Sequence, residues 1–377
     1  MKKLFILVIT SLLAFSSCSK KQETSDKTET IDFASIGKTQ TIDFKYARQL
    51  SIDRYGDYSL ITIAGKDSFL LVPEDKSVPK SVPENVTILK QPLDKTYLVS
   101  SAVMDLIKTA GAMDSIKFSG TKENDWYIPQ AVQAMKEGKI KYAGKYSSPD
   151  YELLVKENCT LAIENTMIYH KPAAKEKLEE LGIPVLVEHS GYESHPLGRL
   201  EWIKLYGILF NKEKEANEYF ENKIAEVENI MQSESTGKTV AFFYVTSHGA
   251  VNIRKPGDYI SKLISLAGGT YIPSHISNEE DNALSTLNMQ FEDFYASCLN
   301  ADIIIYNNNL SDDVKNTEDL INKNSLFADF TAVKTGNVYS AGKQFFQKTT
   351  AMTDFLKDIH AVLKGTDGQF ESLRKMQ

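Results

Sequence analysis

Between about residues 40 and 190, short apolar runs alternate with stretches of helical period, and glycine or proline punctuates most of the changes. Residues 58–64 and 68–72 alternate as a strand–turn–strand about Gly65-Lys66, and 97–99, 116–118, 161–163 and 184–187 read as further strands. Helical spacing fills 102–109, 128–137 and 172–181; Pro129 opens the second of these and Gly138 closes it, the favoured asymmetry. Strands separated by helices predict a parallel sheet wrapped by helices. The longest helical signal covers 197–232. Within it Asn211 reads as an N-cap, and Ala216, Tyr219, Phe220, Ile224 and Val227 recur at close to helical spacing over roughly 20 residues, about 30 Å of helix. Strands at 240–245, 303–306 and 337–339 and helices at 258–267 and 353–364 then restart the alternation. The pattern predicts an α/β protein of two Rossmann-like lobes, 41–210 and 237–377, joined by a long interlobe helix at 211–236.

The N terminus has a different character. Residues 1–17 carry a basic start, a short apolar core and small residues before Cys18, the order of a secretory signal and too short for a membrane-spanning helix. The cysteine at the cut resembles a bacterial lipoprotein signal, which implies that Cys18 becomes the lipidated first residue; the alternative is an ordinary signal followed by a chance cysteine. Residues 18–40 begin with a Lys-, Glu-, Thr- and Ser-rich stretch that cannot build a core and reads as a flexible tether. The expected location is the cell envelope, lipid-anchored on the extracytoplasmic side. A net charge of −7, with no basic block outside the signal, excludes nucleic acid as an expected partner. Cys159 and Cys298 each precede an apolar strand, one in each half, and read as buried free thiols. A monomer is expected.

Each half also carries a glutamate near the start of a short helix that runs into a buried strand. Glu152 lies nine residues before Leu161, and Glu292 nine before Ala301. Several stretches then resemble the solute-binding proteins of ABC importers that carry iron–siderophore complexes, haem and cobalamin: 142–152, 161–169, 182–188, 192–204 and 291–302. The most specific block is Pro196-Leu197-Gly198-Arg199 with Glu201-Trp202. The resemblance spans about residues 85–365 and implies two α/β lobes, a connecting helix, a ligand cleft between the lobes, no enzymatic activity, and an inner-membrane permease as partner. It also implies that Glu152 and Glu292 dock into arginine pockets of that permease, where a bidentate pair is a strong, oriented contact. The structural alternative is that each glutamate only favours its own helix N-terminus. Ala301-Asp302 departs from the family's closer Pro-Asp spacing.

Ligands of open parallel sheets sit beyond the carboxyl ends of the strands. Residues near those ends give the candidate ligand set Ser100, Trp126, Tyr127, Glu164, Asn165, Tyr192, Glu193, Arg199, His248 and Phe345. Aromatic faces with hydroxyl and amide groups suit a bulky, partly flat ligand, and the resemblance implies a metal chelate, an iron complex foremost, with cobalamin as the alternative. Arg199 could equally pair with Glu193 or Glu201. A bare metal ion would need several converging ligands, for which His189, Glu193, His195 and His248 are the available set, but their spacing is not helical and no intrinsic metal or cofactor is expected. Ser247, His248 and Asp258 could suggest a hydrolase, but the chain has no nucleophile elbow and no Gly-rich phosphate loop. An adhesion lipoprotein would need no matched lobes.

Overall fold

The computed structural model describes residues 32–276, 286–308, 314–366 and 368–377, with 343 and 344 described by backbone alone. Cys18 and the signal lie outside the described residues. In the first lobe five parallel strands run in the order Val185–Val187, Leu161–Glu164, Thr96–Leu98, Ile116–Ser119 and Lys141–Tyr142. The helices Ser101–Thr109, Pro129–Lys136, Tyr151–Lys156 and Pro172–Glu180 connect them. In the second lobe Thr270–Ile272, Thr239–Val245, Ile303–Asn307 and Val338–Ala341 are parallel. Antiparallel strands extend both edges of that sheet, Val251–Arg254 and Thr286–Met289 on one side and Leu373–Lys375 on the other. The molecule is thus α/β with a parallel sheet at the heart of each lobe.

A third sheet departs from the sequence expectation, which merged residues 41–97 with the first lobe. Gln40–Thr41, Leu50–Tyr55, Tyr58–Ile63, Asp67–Val72 and Val86–Lys90 form a separate five-stranded sheet. Leu50, Ile52, Ile61, Ile63, Phe69 and Leu71 place one face in the main core, while Tyr58, Leu70 and Val72 bury the other beneath Phe33, Ile36 and Tyr55.

Two buried carboxylates fasten this sheet to the helices that begin the interlobe connection. Glu201 is fully buried and accepts from the backbone N–H groups of Lys45 (2.9 Å), Tyr46 (2.7 Å) and Ala47 (2.9 Å), and from Lys204 Nζ at 2.9 Å. Glu193 continues the clasp, accepting from the N–H groups of Arg48 (2.8 Å) and Gln49 (2.9 Å) and from Trp202 Nε1 (2.9 Å).

The connection itself is Pro196–Glu201, Ile203–Leu209 and then the spine helix Glu213–Met231. Asn211 is not the N-cap. It sits at φ 58°, a left-handed conformation that Asn tolerates, and its Oδ1 accepts from Gln91 Nε2 at 2.9 Å; Lys212 occupies the cap position. Gly207 allows this tight corner, because a Cβ there would lie 2.6 Å from that of Ala216. Lys357 bridges the spine to the C-terminal helix Met352–Lys364 through Glu226 at 2.8 Å.

Candidate functional site

The carboxyl edge of the first-lobe sheet carries a row of exposed tyrosines. Tyr142 ends its strand, Tyr127 follows Ile116–Ser119, Tyr169 follows Leu161–Glu164, and Tyr192 follows Val185–Val187; they are 39%, 43%, 47% and 37% exposed. Tyr127 and Tyr192 are sequence candidates. Tyr142 and Tyr169 meet the same strand-end criterion and were missed. Burial, largely, and the neighbouring Asp67 hold the Tyr169 phenol up at about 12. Asn165 is half-buried, and its side chain accepts from Met167 N–H at 2.9 Å. His248 is exposed in the loop joining Thr239–Val245 to Val251–Arg254, with Nδ1 3.2 Å from Ser247 Oγ.

Other candidates face inward. Ser100 Oγ donates to Glu188 Oε1 at 2.8 Å. Trp126 is buried in the main core, and Phe345 packs on Phe355 with ring centroids 4.4 Å apart. Glu164 is fully buried, neither carboxyl oxygen has a hydrogen-bond partner, and burial pushes its pKa up to about 8. Its carboxyl helps to raise the phenols of Tyr97 and Tyr151, and it lies inside the fold rather than exposed at the strand end.

Glu193 and Arg199 need correction as ligand contacts. Glu193 spends both oxygens on the backbone clasp. Arg199 pairs with neither Glu193 nor Glu201; its guanidinium lies 4.2 Å above the Tyr259 ring and Nη1 donates to the Gly191 carbonyl at 3.3 Å. Asp258 beside it is fully buried, and although burial raises it to about 6, the nearby Arg254 pulls the other way, with Arg254 Nη1 at 3.4 Å. Arg199 therefore belongs to the junction between lobes. The histidine set does not converge either: His195 Nδ1 accepts from Leu197 N–H at 3.2 Å and its ring stacks on Tyr46. Among the described residues no three His, Cys, Asp or Glu side chains gather as metal ligands.

A strap that sequence reasoning missed crosses between the lobes. From the second lobe, Gln347 Oε1 accepts from Tyr127 N–H and Gln347 Nε2 donates to the Asp125 carbonyl, both at 2.8 Å. Thr349 Oγ1 donates to the Ala102 carbonyl at 2.9 Å, and Thr350 donates to Asp105 Oδ2 from N–H (3.0 Å) and Oγ1 (2.5 Å). These partners lie more than 200 residues apart in sequence, so no local pattern announces them. Gln347 thereby fixes the backbone that presents Tyr127.

Glu152 and Glu292 are each the second residue of their helices, Tyr151–Lys156 and Phe291–Cys298, and both are exposed. Among the described residues neither forms an ion pair. The second helix is two residues longer, so its strand begins at Ile303, eleven residues after Glu292, whereas Leu161 begins nine after Glu152. Asp302 bonds across to Thr239 N–H at 2.7 Å, which accounts for its place before the strand. Cys159 and Cys298 are buried free thiols.

The periplasmic binding protein family matches residues 98–345, and the chain belongs to it. Its members are solute-binding proteins of ABC transporters, not enzymes. An uncharacterized lipoprotein of Methanocaldococcus jannaschii is 26% identical over 96% of this chain and 93% of its own length. The structure of a periplasmic haem-binding protein of Vibrio cholerae is similar at a TM-score of 0.57 and 17% identity, covering 71% of this chain and 99% of that one. A periplasmic vitamin B12-binding protein of Vibrio cholerae is similar at 0.52 and 15%, covering 73% and 98%. The N-terminal sheet lies outside the family match.

Proposed function

We propose that this protein captures a bulky metal chelate, an iron complex foremost, and delivers it to a membrane permease. The observation that carries the reading is the row of four exposed tyrosines along the carboxyl edge of the first-lobe sheet. Large amphipathic rings give contact area to a flat or bulky ligand, and their hydroxyls orient its polar groups. The haem- and vitamin B12-binding structural relatives support a ligand of that size. A lipid at Cys18, followed by the polar tether, would keep the protein at the membrane.

Delivery rests on Glu152 and Glu292, exposed on corresponding helices of the two lobes. Exposed carboxylates without ionic partners are free to form bidentate pairs with permease arginines. In cells that import the chelate, Glu152→Ala together with Glu292→Ala is expected to reduce uptake at least tenfold, since each lost arginine contact to a desolvated carboxylate is worth about 2 kcal/mol or more. Affinity of the purified double variant for the chelate should be unchanged. Normal uptake by the double variant would remove the docking role.

A further inference from the structure

The four tyrosines of the open edge are not held alike. The Lys122 ammonium lies 5.9 Å from the centre of the Tyr142 ring, and the His189 ring contacts those of Tyr169 and Tyr192 at 6.0 and 5.4 Å. All of these partners belong to the first lobe. Tyr127 has no such ring or cation partner among the described residues, and it is 43% exposed. What holds it comes from the second lobe. Its backbone N–H donates to Gln347 Oε1, and the Asp125 carbonyl two residues earlier accepts from Gln347 Nε2, both at 2.8 Å.

Trp126 anchors the middle of this stretch in the main core, and the two peptide groups on either side of it take their direction from the one Gln347 amide. The second of those peptide groups sets the direction in which the Tyr127 side chain leaves the backbone. Gln347 is itself well rooted in its own lobe. Phe345 is buried and packs on Phe355 of the helix Met352–Lys364, and the Arg254 guanidinium lies 5.5 Å from the centre of the Phe346 ring. We infer that Gln347 is a positioning residue for ligand binding: from the second lobe, without touching the ligand, it sets the orientation in which Tyr127 meets it. An edge residue oriented in advance spares the ligand the cost of ordering it. The role rests on the reading of the tyrosine row as the surface that receives a bulky chelate. A ligand on that row thereby senses the placement of the second lobe through Tyr127.

Amide hydrogen exchange reads the positioning without any ligand. In the whole protein the Tyr127 N–H is expected to be protected, and Gln347→Met, a near-isostere that lacks the amide making both bonds, should speed its exchange at least about fivefold. Thr349→Val removes a strap bond to the Ala102 carbonyl that does not involve residues 125–127, and should leave the Tyr127 rate unchanged. Haem, a ferric hydroxamate and cobalamin are then titrated one at a time. For any that binds wild type, Gln347→Met should raise Kd about 3- to 10-fold, yet change it by less than about twofold in a Tyr127→Ala background. In a Tyr192→Ala background the full effect should remain. An unchanged Tyr127 exchange rate or an unchanged Kd in Gln347→Met, or an equal loss of affinity with and without the Tyr127 ring, overturns the positioning role while the chelate-binding reading stands. If none of the three binds wild type, both are refuted.

Discussion

Glu201→Ala is expected to destabilise the folded protein by about 3–5 kcal/mol, the cost of breaking a buried, hydrogen-bonded charge by removing one partner. The substitution orphans the N–H groups of Lys45, Tyr46 and Ala47 and leaves the Lys204 ammonium, only 10% exposed, without its near partner. Ala47 is buried, so its orphaned N–H is the one least able to turn to water, and its desolvation cost is not recovered. Glu201→Gln keeps one acceptor oxygen and should lose less. Urea unfolding of wild type and both variants measures the difference. Because the clasp holds the N-terminal sheet to the connection, Glu201→Ala should also split one transition into two, the sheet leaving first. A loss below about 1 kcal/mol would show that the sheet is held by its apolar face alone.

Glu164→Gln is expected to remove a fall in stability between pH 6.5 and 8. Burial raises this carboxyl from 4.5 to about 8, so through that window the folded state holds a proton that the unfolded state has lost. Stability therefore declines as pH rises, at up to 1.4 kcal/mol per pH unit for one fully differing group, and levels off above about 8. His195, lowered to about 4 chiefly by burial, acts in the opposite sense, but only between about 4 and 6.5. Asp258, raised to about 6, has also largely finished its change by pH 6.5. The remaining slope belongs mainly to Glu164. Glutamine is isosteric and neutral, so the variant's melting temperature should be flatter across the window and higher than wild type at pH 8. An identical slope in both proteins would mean that Glu164 is not a buried neutral carboxyl.

The fold was legible wherever a local pattern decides it. Pro129 and Gly138 bracket a helix that spans Pro129–Lys136, and the apolar recurrence from Ala216 to Val227 marks a spine that runs Glu213–Met231. Of the N-terminal strands only the pair at 58–64 and 68–72 was legible, and not as part of a separate sheet, because alternation reports which residues turn inward and not which neighbour a strand pairs with. Asn211 misled for a related reason: Asn serves both N-caps and left-handed corners, and the close approach of Gly207 to Ala216 selects the second.

The candidate site was legible in location more than in membership. Strand ends point to Tyr127 and Tyr192, and the same rule reaches Tyr142, Tyr169 and His189. It fails for Glu193, whose partners Arg48 and Gln49 lie about 145 residues away. Glu164 shows a further limit. A place at the end of a strand does not say whether the side chain reaches the open edge, and Glu164 is fully buried there.

The most direct test of the account is equilibrium binding of the purified protein to a panel of haem, ferric hydroxamate, ferric catecholate and cobalamin, followed by intrinsic fluorescence. The account predicts saturable quenching by at least one iron complex, with a reduced response when Tyr127 and Tyr192 are replaced by alanine. No saturable response to any member of the panel would contradict it.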